Sequence, residues 1–187
     1  MISIISLLDR YLKKSQNILE LGCGDGSLIT AIAKGGYGLK RIVASDFFNA
    51  PKDLPSSVAF VKQNLEEFDI QGPFDLVILH HVFEHVKDPL GLIEKIKKQL
   101  SEHGKIFIVV PNRYGLNNEA RVYLPEHGKH YFLWDKESLE YSLNRLGFIC
   151  RFHNLYAGAS HPLMKYVTPI LRIQNPHLIC VAMKDVA

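Results

Sequence analysis

Short runs of apolar residues, rich in Ile, Val and Phe, recur along the chain and are separated by segments long enough to hold a helix. Within each run the apolar residues are continuous and do not alternate with polar ones. This pattern is typical of strands that are buried on both faces of a parallel sheet. The runs predict five such strands, at residues 17–21, 41–45, 58–61, 74–79 and 105–110, and two further strands close the chain, at 148–156 and 178–183.

Helix signals fill the segments between these strands. Residues 1–16 carry apolar side chains at helical spacing, and the charged pair Asp9 and Arg10 makes an N-terminal helix a better interpretation than a signal peptide. The chain predicts three further helices, at 26–34, 88–100 and 135–146. Alternating strands and helices predict an α/β fold, with a doubly wound, Rossmann-like sheet covered by helices on both faces.

Composition limits the range of functions. The chain has 187 residues, of which 47% are hydrophobic, which suits a single domain spanning 1–187. The net charge of +3 is modest and the basic residues are scattered, which does not favour a nucleic-acid surface. No apolar run reaches the 18 residues that a membrane span needs. Three widely separated cysteines do not suit a disulfide framework, so we expect a reduced, cytoplasmic protein: Cys23, Cys150 and Cys180.

A glycine-rich loop follows the first strand in the sequence ILELGCGDGSL. Gly22, Gly24 and Gly26 allow a tight turn and the close approach of a ligand to the backbone. Ser27 stands where a dinucleotide-binding fingerprint has its third glycine, and no phosphate-binding lysine follows. Asp46 ends the next strand, where its carboxylate can accept hydrogen bonds from both ribose hydroxyls of a nucleoside.

Four motifs, in this order, resemble those of the class I S-adenosylmethionine-dependent methyltransferases. They are LELGCGDG, VASDF, FDLVILHHVFEHVKDP and GKIFIVVPN, and they extend over roughly residues 15–150. The resemblance implies a seven-stranded sheet whose last strand is antiparallel, and S-adenosylmethionine as the cofactor. It also implies the cofactor-binding residues, which are Glu20, Gly22, Cys23, Gly24, Gly26, Asp46, Phe47, Asn64, Leu65 and His80. In such enzymes Glu20 and the loop lie by the methionine moiety, Asp46 holds the ribose, Phe47 and Asn64 lie by the adenine, and His80 lies near the amino group.

The sequence HHVFEH contains the inverted zinc-peptidase pattern H-x-x-E-H at His81, Glu84 and His85. A peptidase needs this pattern inside a long helix, so that positions i and i+4 share one face. Only residues 80–88 lie between the fourth strand and a helix that starts at Asp88-Pro89, which leaves no room for such a helix.

A different metal site remains open. The ubiquinone-biosynthesis and natural-product O-methyltransferases, and the small-RNA 2′-O-methyltransferases, carry a similar E-x-x-E-H motif that binds a divalent cation in some members. The resemblance implies His81, Glu84 and His85 as ligands, with His130 or His127 as a fourth. Nitrogen-rich ligands favour a borderline transition metal over magnesium. The alternative is that these side chains only bond one another, and His81, His85 or His130 then serves as a general base.

Two insertions are candidate substrate lids, at 111–134 and 157–177. The first leaves the fifth strand at the edge where α/β sheets bind ligands, and it is rich in Tyr, His and Arg.

We therefore expect a methyltransferase that acts on a hydroxyl of a small molecule such as a sugar, a phenol or a natural-product intermediate, as a monomer or homodimer. The alternatives are a small-RNA 2′-O-methyltransferase with a divalent metal, and a non-catalytic cofactor-binding scaffold domain.

Overall fold

The computed structural model describes residues 4–115, 130–153 and 177–185. The strands have these bounds: β1 Asn17–Leu21, β2 Arg41–Asp46, β3 Val58–Lys62, β4 Phe74–His80, β5 Leu100–Pro111, β6 Phe148–His153 and β7 His177–Lys184. The helices are α1 Ile4–Leu12, α2 Ser27–Lys34, α3 Pro89–Gln99 and α4 Lys136–Arg145. Two short 3₁₀ turns lie at Leu65–Glu67 and Phe83–His85.

The seven strands form one sheet in the order β3-β2-β1-β4-β5-β7-β6. β1 to β5 pair in parallel, whereas β7 lies antiparallel between β5 and β6. The predicted Rossmann-like sheet with an antiparallel last strand is therefore confirmed.

The inner strands β1, β2, β4 and β7, and β5 from Ile106 onward, bury both of their faces, which explains why their apolar runs are continuous. On one face Ile18 and Phe107 pack with α1 and α2, and on the other face Leu19 and Val77 pack with α3 and α4. The side chains of successive strand residues point to opposite faces, so neighbours such as Ile18 and Leu19 enter different cores.

The helices predicted at 26–34, 88–100 and 135–146 agree with the structure to within one residue at each end, whereas the predicted N-terminal helix 1–16 ends earlier, at Leu12. α3 begins after Asp88, whose side chain accepts a hydrogen bond from the Gly91 N–H, and α4 begins after Asp135, which forms a capping box with Ser138. β5 begins at Leu100, five residues before its predicted start at 105. The sequence analysis missed this part of the strand because residues 101–103 are polar and interrupt the apolar pattern. The predicted strand 148–156 is described as far as His153.

Parallel pairing brings the carboxyl ends of β1, β2, β4 and β5 to one edge of the sheet. Leu21 lies opposite both Ser45 and Leu79, and His80 lies opposite Val109. Open α/β sheets bind ligands at this edge. None of the helices in residues 4–115, 130–153 and 177–185 is long and apolar enough to span a membrane.

Candidate cofactor and active site

The glycine loop connects β1 to α2 through three left-handed residues, with φ angles of 69° at Gly22, 55° at Gly24 and 75° at Gly26. The N–H groups of Gly22 and Cys23 both donate to the Ser45 carbonyl oxygen, at 2.7 and 3.0 Å, which ties the loop to the end of β2. A Cβ atom added at Gly24 would meet nothing within 4 Å. The loop therefore leaves the Gly24 backbone open to a ligand.

Asp46 is the last residue of β2, and its side chain faces the glycine loop. Its Oδ2 accepts a hydrogen bond from the Gly24 N–H at 2.8 Å, and its Oδ1 accepts one from the Phe48 N–H at 3.1 Å. Two backbone donors thus fix the orientation of a carboxylate that is only 8% exposed. Each carboxylate oxygen still has acceptor capacity for a hydroxyl group.

Glu20 lies one residue before the end of β1 and is 2% exposed. Burial raises the pKa of its carboxyl from 4.5 to about 8, and a hydrogen bond from the Ile29 backbone offsets only part of this effect. Its Oε2 is buried and has no hydrogen-bond partner among the described residues. An unsatisfied buried acceptor of this kind is a candidate binding point for a donor or a cation.

Cys23 packs between these two acids as a neutral thiol. Burial, followed by the nearby carboxylates of Glu20 and Asp46, raises its pKa to about 12. It therefore contributes volume to the loop and no nucleophilic thiolate.

The residues predicted beside an adenine ring lie next to Asp46. Phe47 is 62% exposed and contacts Phe48 edge to face, with the ring centroids 5.6 Å apart. The Gln63 N–H donates to the Asp46 carbonyl oxygen at 2.9 Å, which brings Asn64 and Leu65 to the same edge. The Asn64 side chain accepts a hydrogen bond from the Glu66 N–H at 3.1 Å, so it also caps the turn that Leu65 begins.

The histidines follow β4. His80 ends the strand, and His81 adopts a left-handed φ of 55° while its N–H donates to the Val109 carbonyl oxygen at 2.9 Å. Burial, followed by repulsion from His81 and His177, lowers the pKa of His80 to about 4, so this ring is neutral at physiological pH. β4 ends at His80, α3 starts at Pro89, and only one 3₁₀ turn lies between them. The long helix of a zinc peptidase is thus missing from this segment.

Glu84, His85 and His130 come together beside this turn. Their potential ligand atoms all lie within 4.8 Å of one another, and the rings of His85 and His130 are 4.7 Å apart between centroids. Burial, followed by the neighbouring His85, lowers the pKa of His130. His81 lies outside this group of three, but its Nδ1 is 3.3 Å from Glu84 Oε1. His127 lies outside the described residues.

His177 is a member of this region that the sequence analysis missed. It is the first residue of β7 and lies opposite Pro111, and its ring contacts the His81 ring with centroids 4.9 Å apart. A histidine 96 positions from His81 carries no local motif. Only the insertion of β7 beside β5 brings the two rings together.

The described ends of the 111–134 insertion line the same area. Trp134 stacks against Phe83 and Phe132, with centroid distances of 5.1 and 5.4 Å. Exposure rises from 0% at Phe83 to 5% at Trp134 and 36% at Phe132, so this aromatic stack runs from the core to the surface. The Tyr131 N–H donates to the Glu84 carbonyl oxygen at 2.8 Å, which holds the segment against the histidines. Of the second insertion, 157–177, only His177 is described.

A family model described as a methyltransferase domain matches residues 1–151, which is most of the chain. The chain belongs to the methyltransferase domain family. The sequence-based prediction of a methyltransferase is thereby confirmed at the level of the family.

Three proteins similar to this methyltransferase domain illustrate the range of its relatives. It is 28% identical over 113 residues to a ubiquinone biosynthesis O-methyltransferase of Actinobacillus pleuropneumoniae, a match covering 52% of this chain and 47% of the relative. It is 26% identical over 156 residues to a tRNA U34 carboxymethyltransferase of Alteromonas mediterranea, covering 72% of this chain and 45% of the relative. The chain thus spans about half the length of these curated relatives.

The third is a solved structure, the plantazolicin methyltransferase BpumL in complex with a monoazolic desmethylPZN analog and SAH. It matches with a TM-score of 0.70 at 17% identity, covering 96% of this chain and 80% of BpumL. At this identity the match confirms the fold of the methyltransferase domain.

Proposed function

We propose that this protein transfers the methyl group of S-adenosylmethionine to a hydroxyl group of a small-molecule acceptor. One observation carries the proposal: two buried carboxylates, Glu20 and Asp46, flank a glycine loop whose Gly24 is open to a ligand. A sulfonium cofactor has no pyrophosphate and needs no phosphate cradle. It needs one acid for the ribose and oxygen atoms near its cationic methionine end.

The proposed cofactor contacts follow from these positions. Asp46 accepts the ribose hydroxyls, and Glu20 and the backbone from Gly22 to Gly26 receive the methionine moiety. Phe47, Asn64 and Leu65 border the adenine, and His80, which is neutral, lies near the amino group. The SAH in the BpumL complex supports this choice of cofactor.

The reaction is a direct displacement at the methyl carbon. The acceptor oxygen forms a bond to this carbon while the carbon–sulfur bond breaks, and the sulfur keeps the electron pair as S-adenosylhomocysteine leaves. When no metal is bound, the hydroxyl proton passes to an imidazole of His81, His85 or His130. When His85 and His130 bind a metal, His81 remains as the base. Alignment of acceptor and sulfonium supplies most of the acceleration.

A divalent cation at Glu84, His85 and His130 forms part of the proposal. Glu84 Oε2 and His130 Nδ1 support it, because both are buried and neither has a hydrogen-bond partner among the described residues. Two nitrogen donors and one oxygen donor suit zinc or another borderline metal. When bound, such an ion would lower the pKa of an acceptor hydroxyl.

Calorimetric titration with S-adenosylhomocysteine tests the cofactor assignment. We expect micromolar binding by the wild type and a loss of about 10- to 100-fold for Asp46→Ala, because charge-assisted hydrogen bonds to the ribose are removed. The control is Asp69→Ala, which changes an exposed acid in the connection from β3 to β4. Undiminished binding by Asp46→Ala would refute the assignment.

Transfer of a labelled methyl group to a panel of phenols and sugars then tests the acceptor class. Binding of S-adenosylhomocysteine without transfer to any acceptor would instead indicate a non-catalytic cofactor-binding scaffold domain.

An RNA 2′-O-methyltransferase is the second candidate. The exposed rings of Tyr131 and Phe132 favour it, because nucleobases stack on aromatic side chains, and one similar protein is named for an action on tRNA. The modest net charge of +3 argues against it. The test is transfer of a labelled methyl group to a short RNA. If the RNA is labelled, and the label is not transferred when the terminal nucleotide lacks a 2′-hydroxyl, the RNA proposal replaces the small-molecule proposal.

A further inference from the structure

Glu84 is a buried carboxylate whose two oxygens have different surroundings. The side chain is 1% exposed. Its Oε1 lies 3.3 Å from His81 Nδ1, whereas its Oε2 is buried without a hydrogen-bond partner among the described residues. Leaving a buried carboxylate oxygen unsatisfied is costly, so this oxygen is the natural position for a cation.

The two imidazoles grouped with the Glu84 carboxylate come from two segments of the chain that are tied to each other. His85 is adjacent to Glu84, and the segment carrying His130 is held by the hydrogen bond from the Tyr131 N–H to the Glu84 carbonyl oxygen, at 2.8 Å. His130 Nδ1 is buried and unpartnered among the described residues. The three ligand atoms lie within 4.8 Å of one another, and a tetrahedral ion with bonds of about 2.1 Å requires separations of about 3.4 Å. The separations therefore exceed this requirement by at most about 1.4 Å.

His81 has a different position. Its ring contacts the rings of His80 and His177, each with a centroid distance of 4.9 Å, and its backbone has a left-handed φ of 55°. These contacts hold the ring on the Oε1 side of Glu84, outside the group of three ligand atoms.

We propose that the two carboxylate oxygens of Glu84 have different partners. Oε1 accepts a hydrogen bond from His81 Nδ1, and Oε2 binds a divalent metal together with His85 and His130. His81 is then a positioning residue for the carboxylate and no metal ligand, in contrast to the four-ligand set that the sequence motif implies. This inference rests on the proposed function, since it concerns the cation of that site. Three protein ligands leave coordination positions open for acceptor oxygens, as in catalytic zinc sites.

The test counts imidazole ligands in the zinc-loaded full-length protein by X-ray absorption spectroscopy, and measures zinc affinity by competition with a chromophoric chelator. We expect two imidazoles in the wild type and one in His130→Ala, with zinc affinity about 100-fold lower or worse in that variant. His81→Asn should keep both imidazoles and near wild-type affinity, because its amide N–H can replace Nδ1–H and asparagine tolerates a positive φ. His81→Leu should also keep two imidazoles but bind zinc about 10- to 100-fold more weakly, the usual effect of losing a hydrogen-bond partner of a ligand.

His103→Asn is the matched control, because it removes an exposed histidine at the opposite end of β5. A count of three imidazoles in the wild type that falls to two in His81→Asn would overturn the inference, and so would the absence of zinc binding. Titration of the same preparations with S-adenosylhomocysteine separates the two proposals. Zinc binding without cofactor binding refutes the proposed function alone, and cofactor binding without zinc binding refutes only the metal inference.

Discussion

At the scale of single residues, the site depends on groups whose ordinary chemistry is altered by burial. Glu20 is the clearest case, since its carboxyl has a pKa of about 8 and remains mostly protonated at neutral pH without a ligand. A cationic ligand near Oε2 would favour the charged form and lower this pKa.

This shift predicts a pH dependence of stability. The pKa of Glu20 is 4.5 in an exposed chain and about 8 in the folded protein, so between these values the native state binds more protons than the unfolded state. The contribution of Glu20 to the free energy of unfolding should therefore fall as pH rises through this window, by up to about 1.4 kcal/mol per unit.

Denaturant unfolding at pH 5.5, 7 and 8.5, without cofactor, measures this effect against Glu20→Gln. The variant should lose this component of the pH dependence and be more stable than the wild type at pH 8.5, while binding cofactor more weakly. Identical pH profiles for the two proteins would contradict the assignment.

The glycine loop gives a second prediction at this scale. A Cβ at Gly24 meets open space, whereas a Cβ at Gly22 collides with the Val82 side chain. Both residues have positive φ, so Gly24→Ala should cost about 1–2 kcal/mol of stability from backbone strain, and Gly22→Ala should cost more.

The new methyl group at Gly24 occupies the space proposed for the cofactor. We therefore expect Gly24→Ala to fold with a modestly lower melting temperature and to lose most S-adenosylhomocysteine affinity in calorimetry. Wild-type affinity in this variant would place the cofactor elsewhere.

At the scale of elements, the segment 130–134 joins the candidate active site to the core. Trp134 forms a bridge with Asn112 at the end of β5, its carbonyl oxygen accepts from the Arg113 N–H at 2.8 Å, and its ring stacks on Phe83. The next element, α4, starts directly after this segment at the Asp135 cap. The position of His130 thus depends on the end of β5, on the start of α4 and on the stacking of Trp134 against Phe83.

Trp134 is the single tryptophan of the chain, so its fluorescence reports on this stack. Phe132→Ala removes the ring that stacks on Trp134. We expect Trp134 to become more exposed and to emit at longer wavelength, with a stability loss of about 0.5–1.5 kcal/mol from the lost ring pair. Tyr141→Ala, which changes an exposed ring on α4, should leave the emission unchanged. An unshifted spectrum for Phe132→Ala would show that Phe132 does not cover Trp134.

At the scale of the whole molecule, the last strand completes the centre of the sheet. The family match ends at residue 151, yet β7 lies between β5 and β6 and its residues from Ile179 to Ala182 are fully buried. β6 makes its sheet contacts through β7.

A chain that ends at residue 153 should therefore lack a cooperative unfolding transition. It loses every partner of β6 in the sheet, exposes the hydrogen-bonding edge of β5 and removes the buried side chains of β7 from the core. Circular dichroism melting checks this, with a chain ending at residue 185 as the control, which should melt like the full chain. Cooperative melting of the shorter chain would show that β1 to β5 form an independent unit.

The sequence by itself determined the seven strands and the helices that follow the first strand, and it proposed the cofactor half of the candidate site. This was possible because each signal is local: a continuous apolar run marks a strand buried on both faces, and a glycine loop with an acid at the next strand end follows the fixed geometry of a β-α-β unit. Gly24 and Asp46 could be named from their positions at these ends, and Glu20 from the family resemblance.

Only the tertiary structure decided how the histidines are grouped. His81, Glu84 and His85 share one motif, but the His81 ring contacts His177 and reaches only Oε1 of Glu84, so it lies outside the group of ligand atoms that Glu84 forms with His85 and His130. His130 and His177 come from distant parts of the chain, and the pairing of β7 with β5 and the anchoring of Tyr131 to Glu84 set their positions. Contacts between distant segments produce no recognisable pattern in a sequence, because they depend on the order of the strands in the sheet and not on the spacing of residues along the chain.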